Sequence, residues 1–280
     1  MKYKIILDSC GELPEEYQEN PHFMHVPLSI HLDGVDIIDD ETFNQKEFLK
    51  AVENSEEAPK SACPSPQAYA DACDASVENI YIVTLSAGLS GSYNSAQLGR
   101  DLFLEKNPNK NVHVFNSYSA SVAETLIALK IMDLEEEGLP FDEIVQQVET
   151  YNHLKSTYFV LDNLNMLVKA GRIGRLTGSV VSALHIKMIM TASTIDGKIQ
   201  RVDQSRGQKK AIAKMLQIVE EKANQVAEKR IGVTFVNCPK TLEKIVSALK
   251  ERLPAREIVI VASRGISTMY AGDGGIIIAV

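Results

Sequence analysis

The sequence predicts a two-domain α/β protein. The N-terminal domain, residues 1–154, is expected to hold a mostly parallel sheet with flanking helices, and the C-terminal domain, residues 155–280, to be α+β with a mixed or antiparallel sheet. Three observations carry that expectation. The 280 residues are about two average domains long. The first half alternates short apolar runs with helical stretches, the pattern of βαβ units. The second half mixes hairpin turns with helices, which calls for antiparallel strands. No repeat or low-complexity linker separates the halves, so they should share an interface, and a crevice between two such domains favours a ligand.

Residues 3–7 form an apolar run that stops at Asp8-Ser9-Cys10-Gly11, a turn. Residues 25–32 alternate, meet Asp33-Gly34 and resume over 35–38, and Asp-Gly between two such runs signals a hairpin. Pro66 opens a helix with Ser65 as its N-cap. Residues 79–85 read as a buried strand, 95–105 as a helix, 111–115 as a strand and 119–137 as a helix. A helix over 141–152 leads into the second half, which begins with a strand over 156–161. Strands over 187–194 and 198–202 flank Ile195-Asp196-Gly197, a second hairpin. An amphipathic helix over 208–228 carries Ala211, Leu216 and Val219 among charges. A strand over 231–236, a helix over 241–253, a strand over 257–262 and a terminal strand complete the order.

Hydrophobic residues make up 45% and charged residues 24%, ordinary values for a chain with a sizeable core. Lysine and arginine number 29 against 37 acids, a net charge of -8 that gives no general attraction to phosphate backbones. Lys209, Lys210 and Lys214 are read as a solvated helix face, so nucleic acid is not an expected partner. The first strand runs straight into an acid, unlike a signal peptide, and the apolar run 275–280 is too short to span a bilayer. Cys10, Cys63, Cys73 and Cys238 form no CxxC pair, and the histidines are not clustered. Neither a disulfide framework nor a metal site is expected, and no cofactor is. A cytoplasmic setting with reduced thiols follows.

Several turns look chemical. Ser86-Ala-Gly-Leu-Ser90-Gly91-Ser92 joins a strand to a helix, where small residues leave backbone N–H groups and hydroxyls free for an anion. The same turn brushes the nucleophile elbow G-x-S-x-G, with Ser92 where the second glycine belongs. Helix capping by serine, anion binding and a catalytic Ser90 all remain open at this point. Lys60-Ser61-Ala62-Cys63-Pro64 is a loop, and Cys63 is read as a buried small residue rather than a reactive thiol. Gly171-Arg172-Ile173-Gly174-Arg175 sets two arginines on a glycine turn, either capping the preceding helix or forming a docking surface. Arg206 sits just before a helix start, where a cation is unfavourable unless an anion meets it. Residues 270–275 form a glycine-rich turn that matches no nucleotide motif.

In this order, Leu7-Asp8-Ser9, the loop from Lys60 to Pro66, residues 84–93, Gly171-Arg172-Ile173, Ile186-Lys187, Ser205-Arg206-Gly207 and the last glycine turn resemble the DegV family over nearly the whole chain. The resemblance implies a protein that is not itself an enzyme and that buries one long-chain fatty acid, of the palmitate or oleate class, between two domains. It also implies presentation of the acyl carboxylate to a partner fatty acid kinase. By position, Ser61, Ser90, Gly91, Ser92, Arg206 and Tyr270 would hold the head group, and Arg172 would dock the kinase. Two departures stand out. Ser61-Ala62-Cys63-Pro64 replaces the usual Thr-Ser-Gln-Pro, and Tyr270 stands where a histidine is usual. Burying roughly fourteen methylenes at about 0.8 kcal/mol each offers about 11 kcal/mol before binding costs. A hydrogen bond to the charged head adds only about 1.5–3 kcal/mol, so the tail sets affinity and the hydroxyls set orientation. Two rival functions remain: a serine hydrolase of acyl esters using Ser90, and a regulatory protein binding a small phosphorylated ligand through its glycine turns.

Overall fold

A computed structural model of the chain describes residues 1–162, 164–173, 185–223 and 229–280. The chain opens with β1 (Tyr3–Asp8), the short helix α1 (Glu15–Gln18) and β2 (Phe23–Val26), which lies parallel to β1. The alternating run 25–32, read above as one strand, divides at Pro27, and β3 (Ser29–Leu32) belongs to a different sheet. Proline has no N–H to give a ladder, which is why the strand ends there. β3 and β4 (Val35–Ile38) form the expected hairpin, with Asp33 and Gly34 at φ 49° and 79° as a tight Asp-Gly turn requires. After α2 (Gln45–Asn54), β5 (Lys60–Ala62) pairs antiparallel with β3 and completes a three-stranded sheet.

The helix α3 (Pro66–Ala72) starts as expected, with the Ser65 side chain accepting from Ala68 N–H. β6 (Asn79–Thr84), α4 (Ser92–Lys106) and β7 (Asn111–Asn116) follow; α4 begins three residues before the expected 95. The parallel sheet runs in the order β2-β1-β6-β7. Then come α5 (Val122–Glu136) and α6 (Phe141–Leu154). α5 is apolar on every side because it is covered on every side: it packs on β1 and β6 and also on strands of the second sheet.

The second sheet is built from β8 (Thr157–Val160), which α7 (Asn165–Lys169) follows, the hairpin β9 (Ile186–Ala192) and β10 (Ile199–Arg206), then α8 (Gln208–Lys222), β11 (Arg230–Phe235), α9 (Pro239–Arg252), β12 (Glu257–Ala262), α10 (Gly265–Ala271) and β13 (Ile276–Ala279). Its order is β10-β9-β8-β13-β11-β12, antiparallel except for β11 with β12. The end of the helix expected over 208–228 lies outside the described residues beyond Ala223, as do Gly174 and Arg175. α10 corrects the reading of residues 270–275 as a turn: Tyr270 and Ala271 close a helix, and the turn starts at Gly272. The start of α10 is held from afar, since Asp39 accepts Gly265 N–H at 2.6 Å and Ile266 N–H at 2.9 Å.

Candidate functional site

A cavity of about 340 Å³ lies between the carboxyl edge of the parallel sheet and one face of the second sheet. Its size and largely apolar lining are those of a small-molecule site. On the parallel side it meets the turn after β1 at Cys10 and the turn after β6 from Leu85 to Gly91. The two turns are fastened by one buried carboxylate: Asp8 accepts Leu85 N–H at 2.8 Å and Cys10 N–H at 3.1 Å. On the other side Phe159 and Leu161 alternate inward from β8, and Ile277 of β13 stands opposite Phe159. The β9–β10 hairpin covers the cavity with Ala192 and Ile199, and its tip is held where Ser86 Oγ donates to Gly197 O at 2.8 Å.

Hydroxyls gather at the rim. Ser61 on β5 and Tyr270 on α10 meet at 2.9 Å, and the small sheet explains why: β5 pairs with β3, and α10 is anchored to Asp39 just after β4. Ser90 Oγ lies 3.0 Å from Ser92 Oγ and accepts Ser92 N–H at 3.2 Å, so it serves the start of α4 while facing the cavity. Each hydroxyl pair holds two protons and one mutual hydrogen bond, leaving one donor over. Gly91 and Cys63 line the same rim, and a Cβ on Gly91 would come within 3.1 Å of Cys63 Sγ. Cys63 is exposed, against the expectation that it is buried.

Arg172 follows the helix-capping alternative, and Arg206 departs from expectation. Arg172 is half-buried in the cavity wall, where Nε–H donates to Leu89 O at 2.7 Å and a second guanidinium N–H to Ala170 O, the C-cap of α7. Arg206 is not brought to the cavity. It is exposed at the end of β10, the edge strand, where Gly207 at φ 83° turns the chain into α8. Ser92 is fully buried behind Ser90 and does not itself line the cavity. The hydrolase reading needs a base beside Ser90, and its hydroxyl partner is Ser92; none of the lining residues is a histidine, and His185 is exposed elsewhere.

A group of buried charges under the cavity floor was not anticipated. Burial pushes Asp8 up to about 7 and Glu12 up to about 7, lifts Glu124 well above the carboxylate range, and lowers Lys155 to about 8. Glu124 is the legible clue, an acid set inside the apolar run of α5. Asp8, Cys10 and Glu124 place one ligating atom each within 4.8 Å. Both Asp8 oxygens already accept backbone N–H groups, and burial raises the Cys10 thiol and the Glu124 carboxyl above their usual ranges.

The family model described as "Uncharacterised protein, DegV family" matches residues 2–280. A DegV domain-containing protein of Streptococcus pneumoniae serotype 4 is 35% identical over 281 residues, 99% of this chain and 98% of that one. Among solved structures, a DegV family protein from Ruminococcus gnavus refined with vaccenic acid is 44% identical with a TM-score of 0.94, covering 99% of each chain. The Streptococcus pneumoniae Fatty Acid Kinase (Fak) B3 protein loaded with linoleic acid is 32% identical with a TM-score of 0.89, covering 100% of this chain and 99% of that one. Sequence and fold agree along the whole length: the chain belongs to the DegV family.

Proposed function

We propose that this protein holds one long-chain fatty acid in the cavity and presents its carboxylate at the rim to a partner fatty acid kinase for acyl-phosphate formation. The observation that carries the reading is an apolar cavity whose open rim offers spare hydroxyl donors, Ser61 with Tyr270 and Ser90 with Ser92. Relatives loaded with vaccenic and linoleic acids, at 44% and 32% identity, support the choice of ligand, and the name of the second supports the choice of partner. On this reading the carboxylate accepts one donor from each hydroxyl pair, while the tail lies on Phe159, Leu161 and Ile277. Tyr270 offers a hydroxyl where the family's usual residue is a histidine, so on this reading head-group binding rests on hydrogen bonds from hydroxyls. Phosphoryl transfer belongs to the kinase, and this chain supplies binding and orientation.

The same reading takes residues 1–154 and 155–280 as the two units that enclose the lipid, and the cytoplasm as their setting. Among the described residues no helix is long and apolar enough to cross a membrane. The test is native mass spectrometry of protein from a bacterial host, followed by delipidation, oleate titration and a coupled kinase assay. A co-purified mass in the palmitate to oleate range and saturable oleate uptake are expected. Lipid-free preparations that also refuse oleate would refute the function.

A further inference from the structure

The inner part of the cavity ends on hydroxyls as well. Thr157, Phe159 and Leu161 face the cavity at two-residue intervals, and at about 3.3 Å per residue Thr157 stands about 13 Å along the wall from Leu161. Leu161 shares an apolar cluster with Leu167 and Tyr270, at the rim, so Thr157 marks the far end. There Ser119 Oγ donates to Thr157 Oγ1 at 2.9 Å. The pair again holds two protons and one mutual hydrogen bond, and among the described residues no acceptor takes the spare one. Ser267, on the same wall, has a buried Oγ with no hydrogen-bond partner. Ser267 neighbours Glu12, whose two oxygens already accept Arg264 N–H and Ser121 Oγ. Glu12 accepts from Ser121 Oγ at 3.1 Å, two residues from Ser119, which ties these groups into one patch. Ser119, Thr157 and Ser267 are each more than nine-tenths buried.

A buried hydroxyl without an acceptor is costly, and a plain methylene chain offers none. We infer that the inner end is a second polar subsite, which receives an oxygen carried on the acyl chain itself. The favoured ligands are then oxygenated long-chain acids, with a hydroxyl or keto group partway along the tail. The carboxylate is held at the rim, the substituent at Thr157 and Ser267, and the apolar wall lies between. A site built to hydrogen-bond a substituent discriminates against the analogue that lacks it. This rests on the fatty-acid reading above.

The test is titration of delipidated protein with stearate and with a series of hydroxystearates in which the hydroxyl moves along the chain. One or two positional isomers should bind on the order of tenfold more tightly than stearate, the worth of one neutral hydrogen bond. In the Thr157→Val/Ser267→Ala double variant the affinity ratio of that isomer to stearate should fall to about one. Thr157→Val keeps the side-chain shape, and Ser267→Ala alone should lower the ratio if the double variant folds poorly. Overturning results are an isomer series in which none exceeds stearate, or a preference that survives the substitutions. Stearate binding without isomer preference sinks the subsite and leaves the fatty-acid reading intact; no binding by any acid sinks both.

Discussion

Removing the Tyr270 hydroxyl probes the rim most directly. That hydroxyl meets Ser61 Oγ at 2.9 Å in half-buried surroundings, so Tyr270→Phe should cost about 1 kcal/mol of folding stability. With a carboxylate in place it is also a donor to a charged acceptor, a bond of about 1.5–3 kcal/mol. The Kd for oleate should therefore rise roughly ten- to a hundredfold. Binding persists, because roughly fourteen buried methylenes still contribute about 11 kcal/mol before association costs. Ser61→Ala should do less, since the Tyr270 proton can then turn wholly to the ligand. The double variant should fall short of the sum of the two single effects, because both hydroxyls serve one acceptor. Calorimetry of delipidated protein with oleate measures all three. A Tyr270→Phe Kd within twofold of the parent, or strict additivity, would refute the placement of the carboxylate.

Arg172→Ala removes the bond to Leu89 O and loosens the wall of the rim, so oleate should leave faster in a displacement assay with labelled fatty acid. Unchanged release with weakened kinase association would return Arg172 to a docking role. For Glu12, raised by burial from 4.5 to about 7, the stability of the protonated form is complete below pH 4.5 and lost as pH rises through about 7. Glu12→Gln abolishes that loss, so denaturant unfolding should show the variant gaining about 3 kcal/mol on the parent across the interval. A constant difference across that range would refute the buried, protonated Glu12. Gly197→Ala combines φ 66° with a Cβ only 1.9 Å from Ser86 Oγ, whereas Gly34, at φ 79°, has open space around it. Melting should show Gly34→Ala costing about 1–2 kcal/mol and Gly197→Ala distinctly more, as the hairpin tip is pushed off the Ser86 turn; equal losses would mean that the tip is not packed there.

Local signals made most of the fold legible. The Asp33-Gly34 and Asp196-Gly197 turns announce the two hairpins, and the strand–helix alternation before residue 120 announces the parallel sheet. What escaped depends on partners distant in sequence. α10 is seven residues long and starts on the carboxylate of Asp39, 226 residues before Gly265, so no capping residue beside it betrays the helix. Pro27 was visible, but only the sheets show that the chain changes layer there.

The candidate site divides along the same line. Ser90 and Gly91 were singled out because small residues in a strand-to-helix turn leave donors free, the family resemblance supplied Ser61 and Tyr270, and the cavity rim brings the four together. The arginines were only partly legible for a shared reason: a sequence shows a charge and its neighbours, whereas a guanidinium's role depends on which acceptor reaches it. For Arg172 that acceptor is a backbone carbonyl 83 residues earlier, and it turns a surface-looking residue into cavity wall. Among the described residues Arg206 finds no such acceptor; β10 is an edge strand and the side chain faces solvent. Ser119, Thr157 and Ser267 were invisible for a third reason. Each is an ordinary buried hydroxyl in its own segment, and only the convergence of the turn before α5, β8 and α10 on one cavity makes them a patch. A tail pocket that ends in spare donors is an unfavourable design for a plain alkane and a favourable one for an oxygenated chain, so under the subsite proposed above the residues least evident in sequence would set the choice among fatty acids.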